Sequence, residues 1–386
     1  MHLEKRFFTE PRESFFLFGP RGTGKSTLMS KHKDKAIWID LLLPDQERAY
    51  LANPERLLGV LEAQPQKKIV VIDEVQKVPA LLSVVHSIIE KKQGIQFILT
   101  GSSARKLKRA GADLLGGRAL LRTLHPFMAA ELGQNFNLAS ALQNGMLPLL
   151  SDINDKKDKL QAYISLYLKE EIQTEGLVRN IGDFSRFLEA ISFSHASLIN
   201  ITNIARECQV NRKTVESYVT ILKDLLLAFE LNVFTKRAKR ELSAHPKFYL
   251  FDAGVFRNLR PAGPLDIPTE IEGAAIEGLV AEHLRAWNDY SSQKHELAFW
   301  RTRSGVEVDF IVYGPLGFWA IEVKNSKRID SSELQGLKAF LEDYPMATAI
   351  FLYRGQERII ENNILCIPCE EFLSGLKPNL PLLAAH

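Results

Sequence analysis

The segment Gly19-Pro20-Arg21-Gly22-Thr23-Gly24-Lys25-Ser26-Thr27 has the spacing of a phosphate-binding loop, G-x-x-x-x-G-K-[ST]. Its glycines let backbone N–H groups close around a polyphosphate, and a helix opening at Lys25 turns its positive dipole end toward the same anion. In that setting the Lys25 ammonium reaches the β- and γ-phosphates and the Ser26 hydroxyl holds Mg2+. A second segment, Lys68-Ile-Val-Val-Ile-Asp73-Glu74, is an apolar, β-favouring run that ends in two carboxylates. Asp73 suits the water shell of Mg2+, and Glu74 suits a base that orients an attacking water. Together the two segments predict binding of ATP or GTP with Mg2+, and hydrolysis.

A second constellation lies near the C-terminus. Alternation along Val306–Val312 puts Glu307 and Asp309 on one face of a strand, and Trp319–Lys324 puts Glu322 beside Lys324. Glu277 stands at helical spacing from Val280, Ala281 and Leu284, so it falls on an apolar stripe, where a carboxylate needs a partner. Glu277, Asp309, Glu322 and Lys324 form the pattern E…D…E-x-K. Such carboxylates hold Mg2+ while the lysine stabilises a hydroxide or a phosphate. A salt-bridged, inert surface satisfies the same pattern.

The elements that must position these groups change along the chain. To about residue 126, strands (Phe15–Phe18, Ala36–Leu42, Ile69–Ile72, Gln96–Thr100, Ala119–Leu124) alternate with helical segments, as in an α/β domain. Thr100-Gly-Ser102-Ser103 closes the fourth strand beside Asp73. A hydroxyl there either senses the γ-phosphate or caps the next helix. Arg105, Lys106, Lys108 and Arg109 follow, then Arg118 ahead of the fifth strand, either a surface arginine or one reaching a neighbouring subunit's nucleotide. Residues 127–185 read helical, with Leu160, Tyr163, Ile164, Tyr167, Leu168 and Ile172 as one stripe. Residues 186–251 read as a helix from Ile201, a tight turn, and a helix from Asn211 that exposes Arg212, Lys213, Thr214 and Ser217. Strands Ala228–Phe234 and Lys247–Phe251 then flank a basic tip with Lys236, Arg237, Lys239 and Arg240. That is a winged helix suited to DNA phosphates, or its protein-binding counterpart. Residues 252–386 carry the carboxylate pattern.

Composition sets outer bounds. The 386 residues suffice for two or three domains, and a net charge of +3 does not by itself predict a nucleic-acid partner. No apolar run approaches the length of a bilayer span, so no membrane role and a cytoplasmic location are expected. Cys366-Ile-Pro-Cys369 lacks a second pair for zinc, and Cys208 stands alone, so core cysteines are expected.

In this order, the segments GPRGTGKST, IVVIDEVQ, ILTGSSARKL, LLGGR, YLKEEI, KFYLFDAG, FWRTRSGVEVDFIV and AIEVKNS resemble a bacterial and archaeal family of AAA-type (AAA+) P-loop ATPases. Its C-terminal domain, of unknown function, has a PD-(D/E)XK nuclease-like core. The resemblance implies an α/β multidomain chain: a parallel-sheet AAA module (1–126), a helical lid (127–185), a winged helix-turn-helix (186–251) and a nuclease-like α/β domain (252–386). It makes Lys25 and Ser26 the phosphate-loop pair, Asp73 and Glu74 the second Walker motif, Ser102 or Ser103 the γ-phosphate sensor and Arg118 an arginine finger in trans. Glu277, Asp309, Glu322 and Lys324 take the nuclease-like positions. The resemblance also implies a homo-oligomer, often a hexameric ring, while Arg179 and Arg186 both remain open as the second sensor arginine. The expected function is an ATP- and Mg2+-dependent motor or switch acting on DNA, with RNA left open. Its alternatives are an ATP-gated nuclease and a nucleotide-switched regulator that docks a protein.

Overall fold

A computed structural model describes residues 5–102, 105, 107, 115–150, 155–168, 180–243 and 245–383. Ser103, Lys106, Lys108, Arg109, Ile172 and Arg179, named above, lie outside the described residues. The chain divides into two units. One comprises Phe8–His125 with Leu222–Leu227, and the other comprises the remainder.

The first unit is built on five strands: β1 (Phe15–Phe18), β2 (Ala36–Asp40), β3 (Ile69–Asp73), β4 (Gln96–Gly101) and β5 (Leu120–Thr123). All pair in parallel in the order β2-β3-β4-β1-β5. Apolar runs without alternation suit a sheet covered on both faces, and every residue of β1 is buried. Helices α1 (Lys25–Met29), α2 (Pro44–Ala52), α3 (Arg56–Ala63) and α4 (Leu81–Glu90) connect the strands. Phe16, Ile72, Val85, Phe97 and Leu99 belong to the core between these layers. From β1 the chain crosses to the far edge at β2, returns to β4, and then passes over β1 to β5. In open parallel sheets the crevice outside the carboxyl ends at such a reversal is where ligands bind. The largest difference from the expected bounds is at the end of β2. Leu41 and Leu42 leave β2 because Asp40 Oδ1 accepts from Leu42 N–H at 2.9 Å and turns the chain.

The second unit holds a nine-stranded mixed sheet. Its strands are β6 (Ser197–Leu198), β7 (Ala228–Val233), β8 (Lys247–Leu250), β9 (Glu296–Arg301), β10 (Glu307–Gly314), β11 (Gly317–Val323), β12 (Thr348–Tyr353), β13 (Ile359–Glu361) and β14 (Ile364–Pro368), in the order β13-β14-β12-β11-β10-β9-β7-β8-β6. The helices that concern the site are α5 (Ile181–Ser192), α6 (Ile201–Cys208), α7 (Arg212–Asp224), α8 (Ala253–Leu259), α9 (Pro268–Tyr290), α10 (Gln335–Asp343) and α11 (Cys369–Gly375). The last three residues of α7 fall in the first unit. The stretches 127–185, 186–251 and 252–386, expected as three domains, therefore share one compact unit apart from Leu222–Leu227. The physical reason is β7, which pairs antiparallel with β8 and parallel with β9, running the hairpin straight into the C-terminal sheet. Helix Lys156–Ala162 continues as a π-helical turn over Tyr163–Leu168, with Leu160 and Tyr163 of the expected stripe buried. All three cysteines are buried, and burial pushes the Cys369 thiol up to about 12.

Candidate functional site

The loop after β1 turns through left-handed backbone at Gly22 (φ 84°) and Gly24 (φ 88°), and Gly24 caps α1. A side chain is strained in that conformation, so the two glycines are what let the loop close. Thr23 Oγ1 donates to Pro20 O at 2.8 Å and pins the turn from inside. Lys25 is buried, and its ammonium donates to the carbonyls of Gly19 (2.7 Å) and Pro20 (3.2 Å). Arg21 is exposed on the loop, and in the first turn of α1 Ser26 is exposed and Thr27 half-buried.

β3 and β4 bring the second motif to the same ends of the sheet. Asp73 is buried, and Thr100 Oγ1, at the end of β4, donates to its Oδ1. The same hydroxyl accepts from Glu74 N–H at 3.3 Å, so Thr100 ties the two acidic residues together. Glu74 sits at φ 59°, a left-handed conformation uncommon for a residue with a side chain. Unusual backbone of this kind gathers at functional sites, where it aims a group that regular structure would point elsewhere. Gln76, which the spacing of the motif does not single out, is buried and donates through Nε2 to Glu74 Oε2 (2.5 Å) and to Ser102 Oγ (3.3 Å). Gly101 makes room for it, since a Cβ there would stand 2.3 Å from Gln76 Oε1. Ser102 thus joins Glu74 through one amide. Arg118, exposed after the turn Leu115–Gly117, is paired with Glu90 at the end of α4, and that contact lowers the Glu90 pKa.

The C-terminal residues also come together, around a group that the E…D…E-x-K pattern does not contain. Glu277 from α9, Asp309 and Glu307 from β10, and Glu322 from β11 meet in the second unit. Asp309 lies where the β10–β9 register shifts, between Val308 and Ile311. Such an irregularity re-aims a side chain. At the centre is Lys247 of β8, only 2% exposed. Its Nζ lies 2.8 Å from Glu277 Oε1 and 3.0 Å from Asp309 Oδ1, and it also pairs with Glu307. Tyr249, two residues on and therefore on the same face, donates to Glu277 Oε1 at 2.7 Å. Val323 N–H donates to Asp309 Oδ2 at 3.0 Å, and Lys324 pairs with Glu322 Oε1 at 2.5 Å. Glu322 Oε2 is buried with no hydrogen-bond partner among the described residues.

The electrostatics follow from burial among like charges. Burial, then Asp309, raises the Glu277 carboxyl to about 7 against the pull of Lys247. The same two causes raise Glu322 to about 8. Burial would also raise Asp309, but Lys247, Lys324 and the Val323 N–H outweigh it and hold it low. Burial works against charge on Lys247 and Lys324, yet the surrounding carboxylates hold both above the ordinary lysine range. Among the described residues, no three His, Cys, Asp or Glu side chains are arranged to hold a metal ion. Glu277, Asp309, Glu322 and Lys324 are thus brought together in the second unit.

α6 and α7 follow one another, with Gln209 in left-handed conformation between them (φ 55°). Asn211 precedes α7 as its cap, its Oδ1 accepting from Thr214 N–H at 2.8 Å and Thr214 Oγ1 at 3.0 Å. Arg212 pairs with Glu216 at 2.9 Å, while Arg212, Lys213 and Ser217 are exposed and Thr214 is half-buried. The basic tip is less open than expected. Lys236 pairs with Glu296, and Arg240 holds Glu342 (2.7 Å) and Asp343 (3.0 Å) on α10. Arg237 and Lys239 are exposed. Arg186 of α5 pairs with Asp183 at 2.5 Å.

No helix among the described residues is long and apolar enough to cross a membrane. No protein of curated description matches the chain. Structures with similar features include the replication initiator DnaA bound to AMPPCP and single-stranded DNA (13% identity, 55% of this chain and 82% of that one, TM-score 0.27). AMPPCP-bound DnaA from Aquifex aeolicus is comparable (15%, 55% and 82%, 0.26). Protein VC1899 from Vibrio cholerae covers more of the chain (15%, 89% and 96%, 0.22). Overlaps this slight carry no weight for function. The family models are more specific: residues 135–266 match a domain of unknown function (DUF8612) and residues 272–372 another (DUF4143). Residues 11–133, the segment that bears the phosphate loop and the Asp73–Glu74 strand, match the AAA domain, so the chain carries an ATP-binding module of AAA type.

Proposed function

We propose that the chain is an Mg2+-dependent, ATP-hydrolysing switch or motor that works as a homo-oligomer on DNA. The observation that carries this reading is the convergence of the Lys25 loop with Asp73, Glu74, Thr100, Gln76 and Ser102 at the carboxyl ends of β1, β3 and β4. Bound triphosphate would draw the Lys25 ammonium from the Gly19 and Pro20 carbonyls, exchanging two neutral acceptors for a charged one. Ser26 and Asp73 supply the hard oxygen donors that Mg2+ takes alongside phosphate, and the ion would neutralise charge on the β- and γ-oxygens. Glu74 orients the attacking water, with Thr100 fixing its backbone and Gln76 its carboxylate. Ser102, on the far side of Gln76, is suited to report the γ-phosphate to Glu74. Arg118 would exchange Glu90 for a neighbouring subunit's nucleotide.

For the DNA target the support is α6–α7 read as a winged helix with β7 and β8, presenting Arg212, Lys213, Thr214 and Ser217 for phosphate contacts. A second reading, a nucleotide-switched regulator that docks a protein, draws on a specific observation. Lys236 and Arg240 at the tip are engaged by the unit's own acids, which removes two expected phosphate contacts. Steady-state ATP turnover with and without duplex, single-stranded and branched DNA separates the two, with Glu74→Gln as the blank. Stimulation by one DNA form supports the first reading. A flat response with real basal turnover supports the second, and no turnover above the blank removes both.

A further inference from the structure

The E…D…E-x-K pattern suits a divalent cation on paper, and the fold delivers all four residues to one place. What that place contains is an ammonium group. Lys247 Nζ stands within hydrogen-bonding reach of Glu277 and Asp309 and pairs with Glu307. It therefore makes three carboxylate contacts, and three is the number of N–H donors an ammonium has. A cation bound by Glu277 Oε1 and Asp309 Oδ1 would compete with Lys247 for both oxygens. It would also stand against a positive charge too deeply buried for water to screen. A lysine whose ammonium lies in the carboxylate cage differs from one at its edge, such as Lys324, which pairs with Glu322.

We infer that Lys247 takes the place of the metal ion, so that the cluster is a lysine-filled ionic keystone and not a cleavage site. Its work is mechanical. Lys247 belongs to the β7–β8 hairpin, Glu277 to α9, and Glu307 and Asp309 to β10. One ammonium thereby fastens the hairpin that follows α6 and α7 to the helix and sheet of the C-terminal segment. Tyr249, from the same face of the same strand, adds a second tie to Glu277. The residues at stake lie wholly within the second unit, so this inference does not rest on the nucleotide reading.

The test uses the full chain without nucleotide and Mn2+ as the probe, with free Mn2+ followed by electron paramagnetic resonance. Wild type and Asp309→Asn are expected to give the same Mn2+ isotherm, and neither to cut duplex, single-stranded or branched DNA. Lys247→Ala uncages the carboxylates, so its affinity for Mn2+ should rise by at least about tenfold, with a melting midpoint that climbs on adding Mn2+ and falls back with EDTA. A Mn2+ bound by wild type and lost in Asp309→Asn overturns the inference, as does cleavage lost in that variant. A folded Lys247→Ala that gains no Mn2+ overturns it too. Should Lys247→Ala not fold without metal, rescue of folding by Mn2+ supports the inference and failure of rescue counts against it. The charge-balanced pair Lys247→Met with Glu277→Gln is then expected to fold in EDTA. ATP turnover measured on each variant keeps the state of the nucleotide site separate from this result.

Discussion

At the end of β3, Asp73 and Glu74 sit beside a loop of backbone N–H groups, with a hydroxyl and an amide fixing their orientation. At β10 and β11, Asp309 and Glu322 are likewise strand-borne carboxylates, but Asp309 closes on the chain's own buried ammonium. Both regions hold a strand-borne buried aspartate and a buried lysine. In the first, Lys25 donates to the carbonyls of Gly19 and Pro20, contacts that a charged phosphate replaces with gain. In the second, Lys247 is held by three carboxylates, and no ligand competes well against that. A buried charge is available for chemistry when its resting partners are weaker than the substrate, and it is structure when they are not.

The largest effect that would break this comparison is at Glu74. Glu74→Gln should lower ATP turnover by about 10²–10⁴-fold with nucleotide binding retained, read by steady-state turnover beside equilibrium dialysis. Unchanged turnover would mean that the first region is no more a working site than the second. Next is Lys247→Met, which leaves its carboxylates unpaired and should cost about 3–5 kcal/mol of stability in urea melts in the absence of divalent ions. A loss within about 0.5 kcal/mol, the usual effect of a surface change, would dissolve the keystone. A smaller effect sharpens the comparison from the first side. Gln76→Ala should slow turnover roughly tenfold, the worth of one hydrogen bond to a charged group, without loosening ATP binding. An equal fall in ATP affinity would show that Gln76 supports the pocket and not Glu74.

The smallest expected effect is on pH dependence. Glu277 and Glu322 have folded pKa values of about 7 and 8, raised above the unfolded 4.5 by burial and then by Asp309. The folded state therefore holds more protons between these limits, and stability falls as pH rises from about 4.5 to 8. Asp309 acts oppositely, because its folded pKa is depressed; its contribution is lost only as pH falls below 3.8. Melting midpoints of wild type and Glu322→Gln across this range check the sign. The variant should show the shallower slope, and parallel curves would remove Glu322 from the account.

Much of the first unit is legible in its residues. Its five strands lie within one or two residues of their expected limits, because uninterrupted apolar runs between turn signals have few other ways to be buried. The place of Glu277 on an apolar stripe predicts an inward carboxylate, and its side chain is 13% exposed, against Lys247 and Tyr249. Lys247 carries a signal of its own: it is the sole charge in the four-residue strand Lys-Phe-Tyr-Leu, and it alternates with Tyr249. A lysine in an otherwise apolar strand asks for a carboxylate partner as surely as Glu277 asks for a cation. The E…D…E-x-K pattern nonetheless leaves it out, because it lies 30 residues ahead of Glu277. Gln76 gives less to read, since an amide two residues after a catalytic-type acid looks like the start of the next turn.

Local spacing, then, determined the turn of the glycine loop, the acid-ended strand and the successive helices α6 and α7, because each is written in neighbouring residues whose backbone conformation they themselves set. Only the tertiary structure decided that β7 joins the hairpin to the C-terminal sheet and that Lys247 fills the carboxylate cage. Residues 62 positions apart, such as Lys247 and Asp309, meet through the packing of the whole unit. Whether a buried charge finds its counter-charge within the chain or must await a ligand is settled by that packing, and not by the spacing of the residues that carry it.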